Sequence, residues 1–137
     1  MKFMRRNSVA LAAMAAGILT TTLPVAAHHS AASAYDSSRK VEAQGSMTKA
    51  LLKNPHSFVF LESTDEKGQK IEWQIELGAW SGLSTQGWTK EMFVPGTVVK
   101  VTGNPSRAPG SHGMTGARFT RPDGTPFGPT GRADPAQ

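Results

Sequence analysis

One stretch of the chain alternates strictly between apolar and polar residues. Its apolar residues, which share one face of an extended strand, are Ile71, Trp73, Ile75 and Leu77. The polar residues between them are Glu72, Gln74 and Glu76. A period of two is typical of a β-strand with one face on the core and the other in water. We therefore interpret Glu72 and Glu76 as solvated carboxylates.

Weaker patterns predict the other strands. Residues 57–63 (SFVFLES) are apolar at four successive positions, which predicts a strand covered on both faces that forms a hairpin with residues 71–77. Residues 41–46 alternate, and this strand is expected to bend at Gly45 and to continue towards Leu52. Residues 97–102 (TVVKVT) and 114–121 predict two more strands, with a loop between them. One helical turn is predicted at residues 89–92.

These elements predict an all-β fold of five or six strands with one short helical turn. Because no long helix is available to cover the sheet, the sheet must curl on itself. We predict a single domain over residues 28–127: a small OB-like barrel, named for oligonucleotide and oligosaccharide binding, with an N-terminal arm. A small β-sandwich is the alternative. Residues 128–137 are predicted to be a disordered tail.

Residues 1–27 have the pattern of a secretory signal peptide. Lys2, Arg5 and Arg6 precede an apolar stretch at residues 9–19, and small residues end the segment at Ala27. The alternatives are a buried core helix and an uncleaved anchor, although the stretch is shorter than the roughly 20 residues that span a bilayer. We predict cleavage after Ala27, export to the periplasm, and contact with the membrane only during export.

Composition narrows the function classes. The 137 residues include 15 Lys+Arg, 10 Asp+Glu and no Cys. The missing cysteines exclude disulfides, thiolate zinc sites and a Cys nucleophile. Since three of the basic residues fall within residues 1–27 and no basic cluster follows, a nucleic-acid partner is not expected. An enzyme is the least favoured class, because no nucleophile elbow, HExxH motif or phosphate-binding loop is present.

The predicted mature N-terminus suggests a copper site. Cleavage after Ala27 would place the imidazole of His28 beside a free α-amine, and two such nitrogens chelate Cu(II) well. His56 is the candidate third ligand, and His29 is a competing one. Cleavage after Ala26 would instead make His29 the third residue, the spacing at which amine, amides and imidazole wrap Cu(II). The non-metal interpretation is a solvated arm, with His56 bonded to backbone in its turn.

The alternative function is a binding module without metal. In it, the groove of the barrel would take a small molecule, a glycan or a protein partner. Trp73, Trp80 and Trp88 are candidate stacking platforms. The favoured interpretation is a core position for Trp73 and closure of the barrel end for Trp80 and Trp88. His112 and Met114 offer a nitrogen and sulfur pair suited to Cu(I), but an ordinary loop is the favoured interpretation.

Four segments resemble one group of exported bacterial proteins. They are His28-His29-Ser30, Asn54-Pro55-His56, Gly87-Trp88-Thr89 and the run from Pro95 to Val101 (PGTVVKV). In this order they resemble the domain of unknown function 6152 family over roughly residues 28–127. The loop between Gly103 and Met114 is longer and richer in Gly than the family pattern. The resemblance implies export and a small β-rich domain, and it implies no activity.

Overall fold

The computed structural model describes residues 31–129. A short helix, α1 (Ala31–Ala34), precedes strands β1 (Val41–Leu51), β2 (Ser57–Thr64) and β3 (Lys70–Leu77). Helix α2 (Trp80–Thr85) and a 3-10 turn at Lys90–Met92 then lead to β4 (Val98–Pro105) and β5 (Gly113–Thr120). The predicted signal peptide, His28, His29 and residues 130–137 of the predicted tail lie outside this range.

The five strands close into one barrel in the order β1-β2-β3-β5-β4, with β4 paired back onto β1. All neighbours are antiparallel except β3 and β5, which run parallel and pair only at Gln74 with Gly113 and Ile75 with Met114. The predicted OB-like barrel is confirmed. Closure of the barrel buries the apolar face of the sheet, which has no long helix packed on it.

Strand β1 is long because it serves two neighbours. Its first half pairs with β4 and its second half with β2, and Ser46 faces both Val98 and Glu62. The strand changes partner next to Gly45, where a Cβ would lie 2.8 Å from the carbonyl carbon of Glu62. Only glycine allows this close approach, as the predicted bend requires.

The barrel interior is filled by alternate residues of every strand. Side chains from all five strands are fully or almost fully buried, among them Met47, Leu61, Ile75, Val101 and Phe119. Trp88 is also buried, and its ring lies 5.4 Å from that of Phe93, 5.9 Å from that of Phe119 and 6.4 Å from that of Phe127. These aromatic rings come largely from the loops, and they extend the core beyond the strands.

Three details differ from the prediction. Strand β2 is not covered on both faces: Val59 and Leu61 are buried, while Phe58 and Phe60 lie half-buried on the outside. Lys49 lies 5.6 Å from the centre of the Phe60 ring and partly covers it. Strand β4 runs on to Pro105, into the segment predicted as a loop, and α2 was not predicted.

Within residues 31–129, no helix has the length and the apolar character needed to cross a membrane.

Candidate functional site

The three predicted metal ligands fall in two parts of the chain. His28 and His29 lie outside the described residues, so their role stays a prediction. His56 lies directly before β2, and its side chain is 49% exposed. Its Nδ1 atom is 3.0 Å from Oε1 of Glu76. The favoured interpretation, a histidine bonded to backbone in its turn, missed this carboxylate partner.

Glu76 is not the solvated carboxylate that its polar neighbours suggested. Its side chain is only 22% exposed. While Oε1 contacts His56, Oε2 accepts a hydrogen bond of 2.6 Å from the hydroxyl of Tyr35. One carboxylate therefore joins the N-terminal arm to the imidazole that precedes β2. No local pattern signals this, because Tyr35 lies 41 residues before Glu76 in sequence.

The arm is held against the barrel by backbone contacts as well. Tyr35 forms a β-bridge with Ser106, and the amide of Asp36 donates to the carbonyl of Pro105 over 2.8 Å. The amide of Arg107 donates to the carbonyl of Ala34 over 2.9 Å, and its guanidinium lies 3.5 Å from the Asp36 carboxylate. Hydrogen bonding by Ser38 is the main cause that lowers the pKa of Asp36. The arm therefore has a fixed position as far back as Ala34.

The phenol of Tyr35 titrates unusually. Partial burial is the largest cause that raises its pKa above the ordinary value of 10.0, followed by the hydrogen bond to Glu76 and the charge of that carboxylate. The neutral phenol is thus kept as a donor to Glu76 throughout the neutral pH range.

Replacing Tyr35 with phenylalanine should lower the free energy of unfolding by about 1.5–3 kcal/mol near neutral pH, because one hydrogen bond to a carboxylate is lost. A raised pKa in the folded state stabilises the fold fully below the unfolded value of about 10, and this contribution is lost as the pH rises further. The difference between wild type and Tyr35→Phe should therefore shrink in urea denaturation at about pH 11 compared with about pH 8. Equal stability of the two proteins at the lower pH would contradict the contact.

His112 and Met114 do not form the Cu(I) pair that was the less favoured interpretation of this segment. Met114 is fully buried in the barrel interior, whereas His112 is exposed on the outside. The His112 ring meets the ring of Trp73 edge-on, with 5.2 Å between their centres. The two side chains point to opposite sides of the barrel wall, so they do not form a Cu(I) site.

A polar cleft of about 350 Å³ lies between the arm and the start of β5. Its lining residues are Tyr35, Glu72, Gln74, Ser106, Ser111, His112 and Gly113. Tyr35 thus belongs to two sites. Its hydroxyl donates a hydrogen bond to Glu76, and the residue also lines this cleft. Sequence reasoning did not find the cleft, because its walls come from three distant segments.

The three tryptophans differ in burial, and Trp73 does not reach the full core position that was favoured for it. Trp88 is buried in the aromatic part of the core, while Trp73 and Trp80 are half-buried and pack against its edge. Trp73 contacts a residue of the polar cleft, His112. No open stacking platform is therefore formed by these three residues.

Of the three predicted metal ligands, only His56 lies within the described residues. Among residues 31–129, no three His, Cys, Asp or Glu side chains meet at distances that would hold a metal ion. His56 itself fits a ligand role, because a metal-binding histidine commonly donates its other ring N–H to a carboxylate. With Nδ1 held by Glu76, Nε2 is the atom left to bind a metal.

The chain was compared with known proteins in three ways. No curated protein and no solved structure matched it. A family model described as a family of unknown function, DUF6152, matches residues 14–116. This match spans β1 to β4 and the first part of β5, and it includes His28, His29, His56 and Glu76. The chain therefore belongs to the DUF6152 family.

Proposed function

We propose that this protein is exported to the periplasm and binds copper through its mature N-terminus. The imidazole and α-amine of His28 would supply two nitrogens, and Nε2 of His56 would supply a third. The contact that carries the proposal is the one between His56 and Glu76, which gives an exposed imidazole the carboxylate partner usual for metal-binding histidines.

The position of the arm supports the same assignment. Tyr35 is anchored on the carboxylate that contacts His56. His28 precedes Tyr35 by seven residues, and even a fully extended chain of that length spans only about 25 Å. In the proposed site the N-terminal nitrogens would be tethered within that span of Tyr35, which would raise their effective concentration at the His56 imidazole. His29 remains the competing ligand.

A nitrogen-rich site of this kind would favour Cu(II) over the other common divalent ions. The role that follows is storage, delivery or sensing of the metal. No catalytic step is proposed for this site.

The test is a Cu(II) titration of the exported protein followed by electron paramagnetic resonance. His56→Ala should change the spectrum, because one nitrogen ligand is replaced by water or another donor. His112→Ala is the matched control, since it removes an exposed imidazole that no part of the proposed site uses. A spectrum that is the same for wild type and His56→Ala would refute His56 as a ligand.

The polar cleft favours a second candidate, a binding module for a small polar molecule. Its walls offer hydroxyl, amide, carboxylate and imidazole groups within one volume of about 350 Å³. Since Trp73 contacts His112 at the rim, tryptophan fluorescence should report occupancy. A flat response to a panel of glycans, peptides and small polar molecules would count against this alternative.

A further inference from the structure

A second cleft, of about 330 Å³, opens on the outer face of the barrel where β1, β4 and β5 lie side by side. Lys40, Thr102, Gly116 and Arg118 line it. We propose that this cleft binds a phosphate group, the chemistry shared by inorganic phosphate and phosphate monoesters. The inference is independent of the copper proposal, because the two sites have no residue in common.

The barrel register brings the two cations together. Thr102 faces Arg118 across the ladder between β4 and β5. Lys40 directly precedes Val41, which pairs with Gly103 next to Thr102. The register then shifts: between the pair Thr102–Arg118 and the pair Asn104–Thr115, β5 contains one residue more than β4. Gly116 lies in this part of β5 and has a φ of +62°. Since glycine adds no side chain, this irregularity leaves space between the two basic residues.

Within residues 31–129, no carboxylate neutralises the charge of the cleft. In the described part of the chain, neither Lys40 nor Arg118 has a carboxylate within ion-pair distance, whereas the neighbouring Lys100 lies 3.0 Å from Glu42. Glu42 is the cross-strand neighbour of Thr102 and is thus the acid best placed to enter the cleft. Glu42 is instead paired with Lys100. Lys40 and Arg118 therefore have no carboxylate partner among residues 31–129.

The donors suit a tetrahedral oxyanion. Arginine presents a planar fork that grips two oxygens of a phosphate, and lysine adds a point charge with three donors. The hydroxyl of Thr102 lies between them on the central strand and can donate one more hydrogen bond. These groups together provide donors for several phosphate oxygens. The cleft is also larger than a phosphate ion alone, so an organic substituent has room.

The experiment is calorimetric titration of the purified protein with inorganic phosphate, in chloride buffer at constant ionic strength. A second titration uses glycerol 3-phosphate, and a third uses vesicles of phosphatidylcholine with phosphatidic acid. Arg118→Gln and Lys40→Gln are tested singly and together. The matched control is the double variant Lys67→Gln and Lys90→Gln, which removes the same charge from two exposed lysines that line neither cleft.

We expect wild type to bind inorganic phosphate and glycerol 3-phosphate saturably, and each single substitution to weaken binding about tenfold. The double substitution in the cleft should abolish binding, while the control double variant should bind as wild type does. The proposal is overturned if wild type shows no saturable binding to either soluble phosphate. It is overturned equally if the control variant loses binding to the same extent, or if only the vesicles bind.

Discussion

Replacing His28 with alanine should weaken Cu(II) binding by at least about a hundredfold. Loss of a partner that only orients a metal ligand already costs about 10–100-fold in affinity, and His28 would be a direct ligand. The substitution also opens the chelate ring that the imidazole forms with the α-amine. The measurement is a competition titration against a Cu(II) chelator of known affinity, with protein purified from the exported fraction.

The same variant separates the two predicted copper sites. If cleavage follows Ala26, His29 becomes the third residue and holds Cu(II) without His28. His28→Ala would then bind as tightly as wild type, and this result would contradict the His28 site. The intact mass of each protein must be checked alongside, because the substitution lies next to the cleavage site. His112→Ala again serves as the control that should retain wild-type affinity.

Replacing Trp88 with alanine should lower the free energy of unfolding by about 3–5 kcal/mol. The side chain is 1% exposed and contacts the rings of Phe93, Phe119 and Phe127. Its removal loses both the transfer free energy of the indole and its aromatic contacts, and it leaves a cavity. Chemical denaturation followed by circular dichroism measures the effect without depending on tryptophan fluorescence.

Two variants sharpen this stability test. Trp80→Ala removes a half-buried indole at the edge of the core, and we expect a clearly smaller loss of stability. Trp88→Phe keeps an aromatic ring in place, so it should recover part of the stability that Trp88→Ala loses. Equal losses for Trp80→Ala and Trp88→Ala would show that the loop aromatics do not stabilise the barrel as the packing indicates.

The strands were predictable because burial in a barrel imposes a period of two. The alternation from Ile71 to Leu77 identified β3, and the β-branched run at residues 97–102 identified β4. Closure of the sheet followed from the absence of a long helix. Helix α2 could not be found in this way, because six residues are too few to show a helical period, and only Leu83 of this helix is buried.

The site was less predictable than the strands. Alternation assigns Glu76 to the outer face correctly, but a residue on that face is solvated only if nothing else covers it. Tyr35 and His56 reach the carboxylate from two segments that are distant in sequence, and no local pattern encodes their meeting. The cleft lined by Lys40 and Arg118 was equally unpredictable, because only the register of three strands brings these two residues to one place.

His112 and Met114 show why two residues separated by one position need not share a face. Two residues separated by one position share a face only where the backbone is regularly extended on both sides. Here β5 begins at Gly113, between the two residues, so His112 still follows the course of the loop. Met114 therefore enters the barrel, while His112 stays outside against Trp73.

The copper site requires that the chain is exported and cleaved after Ala27. The most direct measurement is the intact mass of the protein purified from the periplasmic fraction. The copper proposal predicts a mass that corresponds to residues 28–137, with His28 at the free N-terminus. A mature chain that starts at Ser30 or later would lack both candidate nitrogens of His28 and would contradict the proposal.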